Sequence, residues 1–168
     1  MRELSFFPEK CISQGLRLAN LEESECLGKR LADGVREANP GALLFFGSLG
    51  MGKTTLCRAM VTSLPGGDEA EISSPSFTIC NIYCTEPAVH HFDFYRLQPG
   101  MVDEALYESL DNPMALTVVE WAERLALRDF PPDGVARRLS RGRGPMERQV
   151  DLAALGPLGD RFLASVFG

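Results

Sequence analysis

The sequence predicts an α/β fold, with a mostly parallel central sheet flanked by helices and a β-rich C-terminal part, in one domain over residues 1–168. Three observations carry this. The apolar run Ala42-Leu43-Leu44-Phe45-Phe46 leads into a glycine-rich turn and then an amphipathic segment that opens at Lys53-Thr54-Thr55. A second run, Met114 to Val119, is apolar at nearly every position, as buried parallel strands are, and ends in Glu120. Helical patterns alternate with these runs, which is the signature of crossover units around a parallel sheet.

Taken in order, residues 3–7 read as a short edge strand. Asn20 reads as an N-cap with Glu23 three positions on, the pattern of a capping box. Leu27, Leu31 and Val35 then repeat at helical spacing, widened by Cys26 and Ala32, which predicts a helix from Leu21 to Glu37. Asn39-Pro40-Gly41 is a turn, and residues 42–46 are a buried strand. A helix runs from the loop to about Leu64, where Pro65-Gly66-Gly67 ends it. Residues 77–83 alternate like a strand, Thr85-Glu86-Pro87 is a turn, and a second strand starts at Val89 and ends in Asp93. Residues 102–110 form a short helix stopped by Asp111-Asn112-Pro113. After the strand that ends in Glu120, residues 122–128 form a short helix broken at Pro131-Pro132. The tail offers three strands, near 135–139, 147–152 and 161–167, with a Gly/Arg turn at 140–145.

Gly47 and Gly52-Lys53-Thr54 satisfy the P-loop pattern of Gly, four residues, Gly-Lys-Ser/Thr. A triphosphate is a dense anion, and successive backbone amides reach it only where no Cβ blocks the approach, hence Gly47, Gly50 and Gly52. The following helix adds unpaired amides and about half a positive charge at its start. Ser48, Leu49, Gly50, Met51, Gly52, Lys53, Thr54 and Thr55 are therefore expected to wrap ATP or ADP. Lys53 is expected at the β- and γ-phosphates, and the Thr54 hydroxyl on Mg²⁺. The strand before the loop and the helix after it are the context that separates this motif from an idle glycine turn.

Mg²⁺ held by a nucleotide needs a carboxylate at the end of a neighbouring strand. Glu120 and Asp93 both qualify, since ligands gather at the carboxyl ends of strands in open α/β sheets. Trp121, the single Trp, either flanks the nucleotide or packs in the core. His90 and His91 point to opposite faces of their strand and are given no catalytic role. Arg96 faces a γ-phosphate or a partner, or pairs with Glu104.

Hydrophobic content of 45% and charged content of 24% are those of an ordinary globular chain. The apolar runs are too short to span a bilayer, and no signal-peptide pattern opens the sequence, so a cytoplasmic protein is expected. Five cysteines suit a reducing compartment. Cys80 and Cys84 precede His90 and His91, but a strand lacks the tight knuckle of a zinc site, so buried or half-buried thiols are expected there. The net charge of −6 gives no global basic field for nucleic acid, so tRNA contact is expected to be weak or indirect. Five of the 14 Arg fall between Arg137 and Arg148. They read as a solvated hairpin in preference to a phosphate- or partner-facing patch.

His91-Phe92-Asp93-Phe94-Tyr95-Arg96-Leu97, with Ser74-Pro75-Ser76-Phe77-Thr78 before it and Val119-Glu120-Trp121 after it, resembles the TsaE (YjeE) family. These are P-loop ATPases of the threonylcarbamoyladenosine tRNA modification pathway. The resemblance runs from about Asn20 to Leu125, and it matches the tail only loosely, through Gly144-Pro145-Met146-Glu147-Arg148. It implies a compact α/β P-loop fold, and ATP hydrolysis that is slow alone and matters inside a complex with TsaB and TsaD. It also implies that Lys53 and Thr54 hold phosphate and Mg²⁺, that Glu120 binds Mg²⁺ and that Asp93 is the other essential acid. Asn20, Leu21 and Ser24 would lie near the adenine, with Gly144. This chain has Ser48 where the family usually has Asp and Met51 where it has Ala. Ser24 and Ser76 stand where Thr is usual and keep the hydroxyl.

Two other functions compete. One is a small-molecule kinase with Arg137–Arg148 as a lid; the other is a nucleotide-sensing interaction module with incidental hydrolysis. A GTPase is disfavoured, because the Asn-Lys-x-Asp guanine motif needs Asn before Lys, and Lys10, Lys29 and Lys53 follow Glu9, Gly28 and Gly52.

Overall fold

The computed structural model describes residues 7–8, 12–75 and 78–168. Seven strands form one sheet: β1 (Ile12–Leu18), β2 (Ala42–Phe46), β3 (Cys80–Tyr83), β4 (Ala88–Asp93), β5 (Ala115–Glu120), β6 (Gly134–Arg141) and β7 (Arg148–Leu155). The spatial order is β1-β7-β6-β2-β5-β4-β3. The centre, β6-β2-β5-β4, is parallel, while β3, β7 and β1 add antiparallel edges. Four helices complete the fold: α1 (Leu21–Glu37), α2 (Lys53–Thr62), α3 (Glu104–Leu110) and α4 (Gly156–Phe167).

Alternation along the central strands divides the core in two. Leu43, Phe45, Leu116, Val118 and Val135 face α1, α2 and α4, while Leu44, Phe46, Val119 and Ala136 face α3 and the segment after β5. Every residue of β2 and β5 is buried. Helix α1 starts as its cap predicts: the Glu23 N–H donates to Asn20 Oδ1, and the Ala19 N–H donates to the Glu23 carboxylate. The helix then packs on α2 with almost no gap. A Cβ added to Gly28 would stand 2.4 Å from the Ala59 Cβ and 2.9 Å from its carbonyl carbon. Gly28→Ala is therefore expected to destabilise the fold by about 1–3 kcal/mol, as overpacking does, and a denaturant midpoint measurement checks this.

The structure corrects four expectations. Residues 161–167 belong to α4 and are not a strand. Gly159, Phe162 and Leu163 are buried at helical spacing, and the helix start is capped from a distant loop, where Asp133 Oδ1 accepts from the Leu158 N–H at 2.9 Å. Residues 122–128 form two separate 3₁₀ turns, at Ala122–Arg124 and Leu127–Asp129. Strand β1 had no sequence counterpart, because it is a polar edge with an irregularity between Ile12 and Gln14. Most of the strand expected at 3–7, and Phe77 at the start of the one expected at 77–83, lie outside the described residues.

The arginine cluster is the fourth correction. Arg137 is fully buried within β6 and lies on the Phe45 ring, 4.1 Å from its centroid. Arg138, on the opposite face, pairs with Asp151 at 2.8 Å. Arg148 donates to the Met51 carbonyl and ties the β6–β7 hairpin to the glycine loop. Only Arg141 and Arg143 are exposed, so the solvated reading holds for the hairpin tip and fails for the strands.

Candidate functional site

Strand β2 ends at Phe46, and the chain turns through Gly47 into the loop. Gly47 has φ +137°, and a Cβ there would lie 2.5 Å from the Leu139 carbonyl oxygen, so only glycine fits. Gly52 follows in the left-handed region, φ 97°, and opens α2 with no side-chain cap, leaving the first amides of the helix free for an anion. The loop borders a cleft of about 400 Å³, lined by residues 49–55 with Ser74, Asp93, Tyr95, Arg96, Glu120 and Trp121.

Lys53 is buried, and its ammonium donates to the Gly47 and Ser48 carbonyls. Its Nζ also stands 4.1 Å from the centre of the Trp121 ring, a cation–π contact. Burial lowers its pKa, and the charges of Glu123, Glu120 and Asp93 oppose that shift. Trp121 adopts φ 59°, unusual for a bulky residue, and its ring meets Tyr95 at 4.9 Å between centroids. The strained turn directly after Glu120 brings the indole back over the lysine.

The parallel pairing of β2 with β5 and of β5 with β4 sets the two acids side by side: Phe45 is opposite Glu120, and Glu120 is opposite Asp93. Thr54 Oγ1 lies 3.0 and 2.9 Å from the two Glu120 oxygens. That spacing fits the expected metal. Two neighbouring ligands of an octahedral Mg²⁺, each at about 2.1 Å, stand about 3.0 Å apart, and both donors are hard oxygens. Asp93 is held differently: Ser74 Oγ donates to Oδ2, and the Tyr95 N–H donates to Oδ1 at 2.8 Å.

Two residues passed over in the sequence belong here. His91 is fully buried, and its Nε2 donates to Glu120 Oε1 at 2.9 Å. It thereby orients the carboxylate that faces Thr54, while His90 bonds Ser109 on the other face. The clue was the side-chain period: His91 lies two residues before Asp93 on one face, and β4 is next to β5. His91→Phe is expected to weaken the Mg²⁺-dependent part of nucleotide binding by about 10–100-fold, the usual cost of losing a group that orients a metal ligand. His91→Gln, which keeps a donor, should restore part of it, and nucleotide titration with and without Mg²⁺ reads both. Glu123 approaches the loop from behind, 3.5 Å from the Gly47 N–H, and its burial raises its pKa. Its only sequence signal is its place one turn beyond Glu120.

Not every expected residue converges. Ser48 faces a second cleft with Phe46, Glu123, Arg138 and Arg141. Leu21 is 51% exposed at the start of α1, Ser24 bonds back to the Asn20 carbonyl, and Gly144 lies in the β6–β7 turn; none of the three lines the cleft beside the glycine loop. Cys80 is half-buried as expected, but Cys84 is exposed, because it lies just past the end of β3 at the sheet edge. No helix among them is long and apolar enough to cross a membrane.

A parallel central sheet, a glycine loop between β2 and α2, and carboxylates at the ends of β4 and β5 place the chain in the P-loop NTPase-like class of α/β folds. Comparison with known proteins narrows the class. The family model for the threonylcarbamoyl adenosine biosynthesis protein TsaE matches residues 18–149. The chain is 35% identical over 113 residues to the tRNA threonylcarbamoyladenosine biosynthesis protein TsaE of Synechocystis sp., covering 64% of this chain and 69% of that protein. It is 34% identical over 119 residues to the protein of that name in Rickettsia felis, covering 70% and 67%, and 31% identical over 105 residues to that of Aquifex aeolicus, covering 61% and 74%. The crystal structure of the Bacillus protein YdiB superposes with a TM-score of 0.71 at 27% identity, over 91% of this chain and 93% of that one. The chain belongs to the TsaE family.

Proposed function

We propose that this chain is a Mg²⁺-dependent ATPase of tRNA threonylcarbamoyladenosine biosynthesis, slow alone and active with a TsaB–TsaD-type complex. The family membership supports the pathway. The observation that carries the chemistry is the 2.9–3.0 Å facing pair of Thr54 and Glu120 beside the open start of α2.

In this reading the amides of residues 50–54 take the phosphates, and Lys53 leaves the loop carbonyls for the β- and γ-oxygens. Mg²⁺ would supply charge neutralisation at the phosphates, and Thr54 and Glu120 would hold it, with Glu120 kept in place by His91. Asp93, fixed by Ser74 and the Tyr95 N–H, accepts a hydrogen bond from the attacking water and orients it towards the γ-phosphorus. Trp121 and Tyr95 wall the cleft against bulk water.

The kinase alternative loses its support, because it needed Arg137–Arg148 as a mobile lid. Arg137 is buried, Arg138 is paired, and Arg148 is bound to the glycine loop. The experiment is ADP release from ATP by the chain alone and with TsaB and TsaD, with candidate small acceptors added in a separate arm. The proposal expects slow release alone and faster release in the complex. Release that needs a small phosphoryl acceptor would favour the kinase.

A further inference from the structure

Beneath the facing pair of Thr54 and Glu120 lies a second set of donors. Cys57 follows Thr54 by three residues on α2 and is fully buried. Its Sγ, a ring nitrogen of His91 and a carboxylate oxygen of Glu120 all lie within 4.8 Å of one another. The three come from α2, β4 and β5, so the packing of one helix on two strands brings them together. Thiol, imidazole and carboxylate form a mixed sulfur, nitrogen and oxygen set. Mg²⁺ avoids such a set, and a borderline-soft dication such as Zn²⁺ takes it. In a tetrahedral site with Zn–S at about 2.3 Å and Zn–N and Zn–O at about 2.0–2.1 Å, donor atoms stand about 3.3–3.6 Å apart. Small side-chain shifts reach that spacing from the present one.

Two buried groups without hydrogen-bond partners among the described residues fit the same event. His91 Nδ1 is one, and the three guanidinium nitrogens of Arg137 are the other. When Nε2 ligates a cation, its proton must reside on Nδ1, which has no bond to lose. Burial and the Glu120 charge hold the Cys57 thiol above its ordinary range, so its proton leaves only when a cation takes the sulfur.

We propose that Cys57, His91 and Glu120 form an inhibitory site for a thiophilic divalent cation of the zinc class. Binding forms bonds from the cation to Cys57 Sγ, His91 Nε2 and Glu120, and a water from the cleft that Glu120 borders takes the fourth position. One proton leaves the Cys57 thiol for solvent, and one moves from Nε2 to Nδ1 of His91. Arg137 then has an anionic sulfur beside it. Glu120 is drawn from Thr54, so the cation and Mg²⁺–nucleotide exclude each other. The inhibition rests on the function proposed above, while the cation site itself does not.

The probe is Co²⁺, whose bond to a thiolate gives a charge-transfer band in the near ultraviolet. It is titrated into the nucleotide-free full chain with Cys11, Cys26, Cys80 and Cys84 replaced by Ser, which leaves Cys57 as the only thiol. The band is expected to saturate at one equivalent, to disappear when Zn²⁺ is added, and to be absent when Cys57→Val is added. Should the four-fold variant fail to fold by circular dichroism, the difference spectrum between the unaltered chain and Cys57→Val gives the same reading. In a second arm, Zn²⁺ should weaken Mg²⁺–ATP binding to the unaltered chain by about tenfold or more and leave binding to Cys57→Val unchanged. No Cys57-dependent band, or equal Zn²⁺ sensitivity of the two chains, overturns the proposal. A chain that shows the band but binds no ATP keeps the cation site and sinks the nucleotide reading instead.

Discussion

Lys53→Ala is expected to cut ATP turnover by about a hundredfold or more, the range seen when a preorganised donor to transition-state charge is removed, and to weaken ATP binding as well. The ammonium is already inside the loop, bonded to the Gly47 and Ser48 carbonyls and covered by the Trp121 ring. Among the described residues the other cation lining the cleft is Arg96, which is exposed. The fold should survive the change, because the loop geometry rests on Gly47 against Leu139 and on the Arg148–Met51 bond. Unchanged turnover, in a variant whose circular dichroism matches the parent, would remove the loop from the site.

The second large effect separates the two acids. Glu120 faces Thr54 on the strand next to β2, whereas Asp93 lies one strand further out and is held by Ser74 and a backbone amide. Glu120→Gln should lose both hydrolysis and the strengthening of nucleotide binding by Mg²⁺. Asp93→Asn should keep most of the Mg²⁺–ATP affinity and lose turnover. Titrations with and without Mg²⁺, beside single-turnover hydrolysis, distinguish the cases. The opposite pattern would exchange the roles, and full hydrolysis in both variants would move the site elsewhere.

What could be read in advance follows the reach of the interactions. Asn20 and Glu23 cap α1 through contacts three and four residues apart, and a buried parallel strand such as β2 shows itself as an unbroken apolar run, so both are visible in local sequence. The loop, Lys53, Thr54 and the two strand-end acids carry patterns of the same local kind. Most failures are non-local. Residues 161–167 are the mixed case: Gly159, Phe162 and Leu163 give a helical spacing that the sequence does show, while the bond from the Leu158 N–H to Asp133 is one that it does not. Arg137 is buried because β6 runs between β2 and β7, a strand order no local pattern reports. His91 gained its role only once β4 was placed beside β5. Trp121 reaches Lys53 through a backbone angle seldom used by large residues, which composition does not reveal.

The central claim is that the Gly47–Thr54 loop binds Mg²⁺–ATP, and Trp121 offers the direct reporter, being the single Trp and lying over Lys53 in the cleft. Titration of ATP into the chain, followed by tryptophan fluorescence, should give a saturable change that tightens when Mg²⁺ is present and that GTP reproduces only at higher concentration. A fluorescence signal that ignores ATP and Mg²⁺, with calorimetry silent at the same concentrations, would contradict it.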